Sequence, residues 1–350
     1  MTSNTDKTNI DRINPDKISA IQGARALAAS AVAFFHIITS QSKTDAQHMW
    51  LAHFDGSWGV DLFFVISGFI MMYITRDTER GSRASTRYLY RRLTRIVPLY
   101  WFYTILTVLL GVWLLAAPVA WSKLIKSLLF VPDGFPALMV GWTLNYEVYF
   151  YLLFAVTLLL PQRLRVAFLS LWFVATCAAG FWHGHPGKYW INKGFSFYTA
   201  PIVFEFLAGV YIAQAAFAGK FFKPTFSVAL IVLSLIAIFA AYLHFGDMEL
   251  YRAYWWGIPA ALIIHAVLSL QHHGWQTPRA CEKLGDRSYS LYLCHLPVCA
   301  VLVILWRHTG ASGYAANAAF IALAIAAALV ATELSYRLVE QPIEKMLRGR

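Results

Sequence analysis

Charged residues are scarce in this chain, and their scarcity excludes an ordinary soluble protein. Only 13% of the 350 residues are Asp, Glu, Lys or Arg, whereas 59% are hydrophobic. A soluble globular domain carries about 25% charged residues. Repeated apolar stretches of about 20 residues are typical of helices that cross a membrane. The sequence therefore predicts an all-α, polytopic membrane protein.

Cysteine is also rare, and metal-binding patterns are weak. The four cysteines are too few and too scattered for a disulfide framework, so we expect them to pack as small apolar residues. The histidines at 183, 185, 272 and 273 have no carboxylate or cysteine at ligand spacing. We therefore expect no metal site.

Ten apolar stretches are long enough to be membrane spans. They cover residues 18–40, 58–75, 96–117, 141–160, 166–182, 198–217, 226–245, 253–270, 288–306 and 314–336. No stretch between them is long enough for a separate soluble domain. The predicted organisation is a polar cytoplasmic segment over 1–17, one transmembrane domain over 18–343 and a basic cytoplasmic tail over 344–350.

The basic residues are unevenly distributed around these spans. With a cytoplasmic N-terminus, 21 of the 29 Lys and Arg residues lie in cytoplasmic segments. The positive-inside rule then favours both termini in the cytoplasm and an even number of spans in the cytoplasmic (inner) membrane. The net charge of +11 arises mostly from the basic residues that determine this orientation. Nucleic acid is not an expected partner, because the basic residues form no separate domain.

The first predicted span contains two ionisable side chains, Arg25 and His36. Eleven helical residues rise about 16.5 Å and turn about 1100°, which is about 20° more than three turns. The two side chains therefore share one helix face, with Arg25 nearer the cytoplasm. Because ionisable residues inside spans are candidates for function, we expect this face to line a polar tunnel. The structural alternative is an arginine that extends to the interface and a hydrogen-bonded core histidine.

Other ionisable residues occur in or beside later spans. Asp61 begins the second span, where a carboxylate is expected to pair with an arginine. Arg92 and Arg95 lie three residues apart on one helix face and are suited to holding phosphate, although anchoring explains most of the basic residues around them. The remaining candidates are Glu147, Glu205, Tyr292, His295 and Glu340.

These residues lie in motifs that resemble the membrane-bound acyltransferase-3 family. The motifs are Arg25-x10-His36, GVDLFFVISGF, RRLTRIVPLYW, WTLNYEVYFY, SYSLYLCHLPV and the closing E-Q-P. They occur in the order found in that family, from about residue 18 to residue 343, and the first motif is most similar to exopolysaccharide acetyltransferases. Many relatives have two adjacent glutamates where this chain has Glu147 and Val148, and often a tryptophan where it has Cys294.

The resemblance implies an integral membrane O-acyltransferase. Its members move acyl groups, often acetyl, from acyl-CoA to a hydroxyl of a surface polysaccharide, an exopolysaccharide or a lipid-linked precursor. Acetyl-CoA would then be a co-substrate, and no cofactor would be bound permanently. The expected partners are acetyl-CoA, the sugar acceptor, the lipid bilayer and the polysaccharide synthesis machinery.

Roles for the candidate residues follow from this reaction. A sugar hydroxyl is a weak nucleophile, so a base near neutral pKa is needed, and His36 is the candidate. Glu147 is expected to orient His36. Arg25 is expected to stabilise the thioester oxygen or to hold the donor, and Arg92 and Arg95 are expected to hold the phosphates of CoA. A covalent intermediate is less favoured, because no Ser or Cys lies in a nucleophile motif. Residues expected to support the site or contact substrate are Asp61, Tyr292, His295 and Glu340.

Two other functional classes fit parts of the pattern. A flippase of a lipid-linked sugar would use the buried His and carboxylates as a proton relay, but the chain does not divide into the paired halves of many transporters. A structural partner in a polysaccharide synthesis complex would leave the buried charges without a use. Binding of CoA separates the enzyme from both.

Overall fold

The computed structural model describes residues 18–48, 51, 54–184, 193–245 and 251–348. The predicted segment 1–17, His185 and the last two residues of the predicted tail lie outside these described residues. Within the described residues the secondary structure is helical, apart from one isolated antiparallel bridge between Asp133 and Lys193. The predicted all-α class is confirmed.

Fourteen α-helices follow one another along the described chain. They are α1 (Ser19–Gln41), α2 (Gly59–Ile74), α3 (Ser82–Leu115), α4 (Trp121–Leu128), α5 (Trp142–Thr157), α6 (Gln162–Trp182), α7 (Phe195–Tyr198), α8 (Val203–Phe217), α9 (Pro224–Phe245), α10 (Ile258–His272), α11 (Arg279–Asp286), α12 (Ser288–Arg307), α13 (Tyr314–Ser335) and α14 (Gln341–Arg348). Two π-helical turns, Ala253–Gly257 and Tyr336–Glu340, lead into α10 and α14.

Each of the ten predicted spans coincides with one of these helices. Eight segments are long and apolar enough to cross a membrane: Ser19–Gln41, Ser82–Leu115, Gln162–Trp182, Phe195–Phe217, Pro224–His244, Ala253–His272, Ser288–Arg307 and Tyr314–Leu347. The other two helices, α2 and α5, have only 16 residues each. The chain is thus a multi-pass membrane protein, and the number ten and the position of the termini stay predictions.

Helix α3 begins earlier than predicted. The sequence interpretation started this span at residue 96, whereas the helix begins at Ser82, directly after Gly81 with its positive φ of 137°. No Gly or Pro interrupts residues 82–95, and the arginines there are good helix formers. The arginine-rich stretch is therefore a rigid extension of the span and not a loop.

Large apolar side chains cover much of the outer surface. Trp113 and Trp182 are each 88% exposed, and Leu171 and Leu243 are each 72% exposed. Patches of this size are rare on soluble monomers, where water would contact them. A surrounding bilayer explains the exposure, because lipid tails are as apolar as these side chains.

Helix α1 lies near the centre of the bundle and packs against α2, α10, α11, α12 and α13. Its buried alanines, which include Ala24 and Ala28, let neighbouring backbones approach closely. Glycines do the same between α2 and α8. A Cβ added to Gly68 would lie 1.9 Å from the carbonyl oxygen of Phe206, and one on Gly209 would lie 2.0 Å from that of Val65.

Candidate functional site

A cavity between α1, α2, α3, α5 and α12 gathers five of the predicted site residues. The charged and hydroxyl-bearing residues that line this central cavity include seven side chains: Arg25, Ser67, Arg92, Arg95, Glu147, Tyr151 and Tyr292. Five of the seven were predicted from the sequence. Ser67 and Tyr151 were missed, although Tyr151 lies one helical turn after Glu147, on the same face of α5.

The charge of the central cavity is positive. Arg25 comes from the first turns of α1, and Arg92 and Arg95 come from one face of α3 because they are three residues apart. Among the described residues that line the cavity, Glu147 is the only acid. Three guanidinium groups around one carboxylate suit an anionic ligand.

Glu147 is held by hydroxyl groups. Tyr151 donates a hydrogen bond to its Oε1, and Ser67 Oγ donates to the same oxygen at 3.1 Å. The carboxylate thus faces the central cavity and its hydroxyl donors on α2 and α5, and the contacts of the described residues do not include the predicted pairing of Glu147 with His36. Sequence spacing could not show this, since the two residues lie on helices whose relative depth depends on packing.

His36 is instead paired with His295. Their ring centroids are 5.1 Å apart and the ring planes are perpendicular. His36 Nδ1 lies 3.2 Å from the carbonyl of Val32, and His295 Nδ1 lies 3.0 Å from the carbonyl of Leu291. A carbonyl oxygen only accepts, so each Nδ1 carries the proton and each neutral ring has its lone pair on Nε2. That tautomer leaves Nε2 of His36 available as a base.

An apolar layer separates the two ends of the Arg25–His36 face. Ala29 and Ala33 are buried there in one cluster with Leu291 and Ala328. The prediction of a continuous polar tunnel along this face is corrected accordingly. The face is polar at its two ends and packed between them.

Two aromatic rings border this layer on the side of the central cavity. Phe63 and Tyr292 contact each other edge to face, with centroids 5.8 Å apart. The Tyr292 hydroxyl is 2.7 Å from Thr143 Oγ1 and donates to the carbonyl of Val140 at 3.0 Å. Tyr292 also lies 6.1 Å from His295, so it stands between the cavity and the histidine pair.

A second concave surface, the arginine groove, adjoins the central cavity. Its basic residues are Arg80, Arg83, Arg87, Arg91 and Arg92, and its volume is about 1020 Å³. Arg92 lines both the groove and the cavity, so the two adjoin at that side chain. The sequence interpretation assigned most of these arginines to anchoring. The signal it missed is the spacing of four between successive arginines from 83 to 91, which aligns them on one stripe of α3.

Glu340 lies behind Arg95. Ser290 Oγ donates to its Oε2 at 2.5 Å, and a small crevice is lined by Glu340, Arg95 and Glu344. The acid predicted from the E-Q-P motif therefore supports the arginine side of the cavity, and it does not reach the histidine pair. It joins the end of the last span to α12 and α3.

Asp61 pairs with an arginine, as expected, but with one outside the site. Arg252 Nε donates to Oδ1 at 3.0 Å and Nη2 to Oδ2 at 2.6 Å, while Nη2 also reaches the carbonyl of Ser57 at 2.6 Å. Asp61, Arg252 and the neighbouring Glu205 are all buried. Asp61 is thus a packing residue that joins α2 to the start of the α10 segment, and it does not orient Arg25, Arg92 or Arg95.

The loop after α1 forms a rim at the His36 end of that helix. Asp45 accepts a hydrogen bond from the backbone N–H of Gly313 at 2.8 Å, and Asn317 donates to the carbonyl of His48 at 2.8 Å. The Gly313 hydrogen bond, together with His48, holds the pKa of Asp45 below its usual value. These contacts join the α1–α2 and α12–α13 connections beside the histidine pair.

The chain was compared with protein families and with solved structures. Residues 18–336 match the family model for acyltransferase family 3, described as an acyltransferase domain. No solved structure gives a significant match.

Three similar proteins cover most of this chain. Exopolysaccharide production protein ExoZ of Rhizobium meliloti (strain 1021) is 32% identical over 84% of this chain and 92% of its own length. Acyltransferase MdmB of Streptomyces mycarofaciens is 28% identical over 95% of this chain and 93% of its own. Peptidoglycan O-acetyltransferase OatA of Listeria monocytogenes serovar 1/2a is 23% identical over 94% of this chain but only 56% of its own.

Proposed function

The chain belongs to the acyltransferase-3 family of membrane proteins, and on that premise we propose that it acetylates a hydroxyl group of a surface polysaccharide or exopolysaccharide. The donor in this proposal is acetyl-CoA from the cytoplasm, and the acceptor is a sugar of the polysaccharide or of its lipid-linked precursor. Similar proteins named for exopolysaccharide production and for peptidoglycan O-acetylation support this class of acceptor. The protein acts in the cytoplasmic (inner) membrane.

One observation carries the donor assignment: Arg92 lines both the arginine groove and the central cavity. CoA has phosphate groups at one end and a thioester at the end of a long flexible arm. Phosphates suit the groove, because guanidinium groups bind them through paired hydrogen bonds. The arm then enters the cavity past Arg92 and Arg95. The positive-inside rule puts this groove in the cytoplasm, where acetyl-CoA is made.

The chemistry assigns each polar group one task. The acceptor hydroxyl loses its proton to His36 Nε2, its oxygen bonds to the thioester carbonyl carbon, and the C–S bond breaks. The departing thiolate takes that proton and leaves as CoA. Negative charge forms on the thioester oxygen during the attack. Arg25 lies about 16.5 Å from His36 along α1, so its proposed task is to hold the donor in the central cavity.

This reaction requires the apolar layer to open. The arm of CoA reaches the central cavity, whereas His36 lies beyond Phe63 and Tyr292. The two rings must move apart for the thioester to meet the base. A site that is closed at rest keeps water away from the thioester, which limits its hydrolysis.

Binding of CoA and transfer of acetyl test the proposal. Purified protein in detergent should bind CoA with an affinity that falls with added salt, as expected for phosphate contacts with arginine. Membranes that contain the protein should move radiolabelled acetyl from acetyl-CoA to a glycan fraction. A flippase should neither bind CoA nor transfer acetyl. Absence of both activities would therefore favour the flippase over the acyltransferase.

A deletion strain gives the matched test in cells. The surface glycan of that strain should lack an acetyl group seen by NMR, and the wild-type gene should restore it. A gene that carries only Arg279→Ala is the control and should restore it equally, because this exposed arginine of α11 lies outside the groove and the cavity. An unchanged glycan in the deletion strain would contradict the proposed acceptor.

A further inference from the structure

His295 is a second imidazole beside the proposed base, and the chemistry above does not use it. It is fully buried in α12, and its ring lies 5.1 Å from that of His36. Its Nδ1 is occupied by the carbonyl of Leu291. Its Nε2 has no hydrogen-bond partner among the residues that the structure describes.

A buried nitrogen with a free lone pair is unfavourable unless a donor reaches it. An apolar side chain would fill this place in the bundle without that cost. The nearest polar neighbour on α12 cannot supply the donor, because the Tyr292 hydroxyl is engaged with Thr143 and Val140. The described residues thus leave a place for a donor at His295 Nε2, and a sugar is rich in hydroxyl donors.

We propose that His295 Nε2 accepts a hydrogen bond from a hydroxyl group of the acceptor sugar and so holds that sugar against His36. This inference rests on the proposed function. His36 takes the proton of the reacting hydroxyl, and His295 stays neutral, because a second positive charge so near the first is unfavourable. The two imidazoles thereby have different roles: His36 removes the proton and His295 positions the acceptor sugar.

Substitution of His295 by asparagine or by glutamine distinguishes the roles of the two ring nitrogens. The amide of Asn occupies about the position of Nδ1, and that of Gln about the position of Nε2. His295→Asn therefore keeps a donor for the Leu291 carbonyl and loses the acceptor, whereas His295→Gln keeps an acceptor near Nε2. His265→Asn is the matched control, since the ring of this histidine of α10 lies against the backbone of Lys220 and the ring of Phe222, away from the site.

The measurement uses membranes of the complemented deletion strain, which supply their own acceptor, with radiolabelled acetyl-CoA. We expect His295→Asn to lower the maximal rate about 10- to 100-fold, as for loss of one strong hydrogen bond. The KM for acetyl-CoA and the affinity for CoA should not change, because the groove and cavity arginines remain. His295→Gln should stay within about 3-fold of wild type, and His265→Asn should match it.

Three outcomes overturn the inference. A full rate in His295→Asn shows that Nε2 is not needed. Equal losses in the Asn and Gln variants show that ring shape matters and the acceptor does not. A raised KM for acetyl-CoA with an unchanged maximal rate shows that His295 contacts the acyl donor and not the acceptor sugar. If the His295→Asn protein does not accumulate, the test uses His295→Gln alone. A loss of more than tenfold in its maximal rate then counts against the proposal. Failure of wild-type protein to transfer acetyl overturns the proposed function as well, whereas normal wild-type transfer with any of these outcomes overturns only the role of His295.

Discussion

At the scale of single residues, the ion pair between Asp61 and Arg252 is the most deeply buried ion pair among the residues that the structure describes. Both side chains are almost completely buried, and Glu205 lies beside them. Breaking a buried pair leaves a charge without compensation, which costs about 3–5 kcal/mol. The sequence predicts that Asp61 needs a cation, but the choice of Arg252 over the arginines of α1 and α3 depends on how distant helices pack.

Arg252→Met should destabilise the protein by about 3–5 kcal/mol, because Asp61 and Glu205 then face each other without a cation. Adding Asp61→Asn should recover most of the loss. Thermal unfolding in detergent measures both effects. Arg307→Met is the control, since this side chain is exposed and its hydrogen bond among the described residues goes to the carbonyl of Lys43. Equal melting temperatures for wild type and Arg252→Met would contradict the prediction.

His36 is the residue on which the proposed chemistry depends most. His36→Ala should lower acetyl transfer by about 10²- to 10⁴-fold, the usual contribution of a general base. Protein level, membrane insertion and CoA affinity should stay near normal, because the ring makes one hydrogen bond to its own helix. His265→Ala provides a control on α10. Substantial turnover in His36→Ala would remove this residue as the base.

At the scale of helices, α3 shows both what sequence patterns predict and what they miss. Hydropathy predicts the apolar part of α3, and the Arg92–Arg95 spacing predicts one shared face. Neither pattern predicts that the basic stretch continues the helix or that it faces the central cavity. Those features depend on contacts of α3 with α5, α12 and α14, which join residues far apart in the chain.

The arginine pair of α3 should dominate binding of the donor. Replacing Arg92 and Arg95 together by Ala should weaken CoA binding, since each contributes about 1.5–3 kcal/mol as a charge-assisted contact. Lys at both positions should restore only part of the affinity, because lysine lacks the planar fork of arginine. Titration calorimetry in detergent measures the dissociation constants, with Arg279→Ala as the control. Unchanged affinity for CoA in the double Ala variant would show that both residues only anchor the helix at the membrane surface.

The positions of most helices and of five charged or aromatic cavity residues were predictable for a simple reason. Long apolar stretches and residue types are local properties, so the ten ranges and Arg25, Arg92, Arg95, Glu147 and Tyr292 follow from the sequence. The predicted resemblance to the acyltransferase-3 family is confirmed. Depth and rotation of one helix against another are not local, and for that reason the sequence did not predict the hydroxyl donors to Glu147 or the choice of Arg252 as the partner of Asp61.

At the scale of the whole molecule, the polar groups form two separate regions. The arginine groove and central cavity lie at one end of α1, and the histidine pair with the rim at Asp45 lies at the other. The apolar layer of Ala29 and Ala33 lies between them. With the predicted orientation, the donor side faces the cytoplasm and the base lies toward the outer side.

Single cysteines can report this arrangement in a Cys281→Ser background, because Cys281 is exposed while the other three cysteines are buried. Lys43→Cys should react with an impermeant thiol reagent on intact cells, and Arg91→Cys only in inverted vesicles, since both positions are exposed on opposite sides of the bundle. Ala29→Cys should react slowly from either side, because it is packed in the apolar layer. Labelling of Arg91→Cys in intact cells would show that the protein has the opposite orientation to the predicted one. Fast labelling of Ala29→Cys in the resting protein would mean that an open tunnel, and not a layer that opens for transfer, connects donor and base.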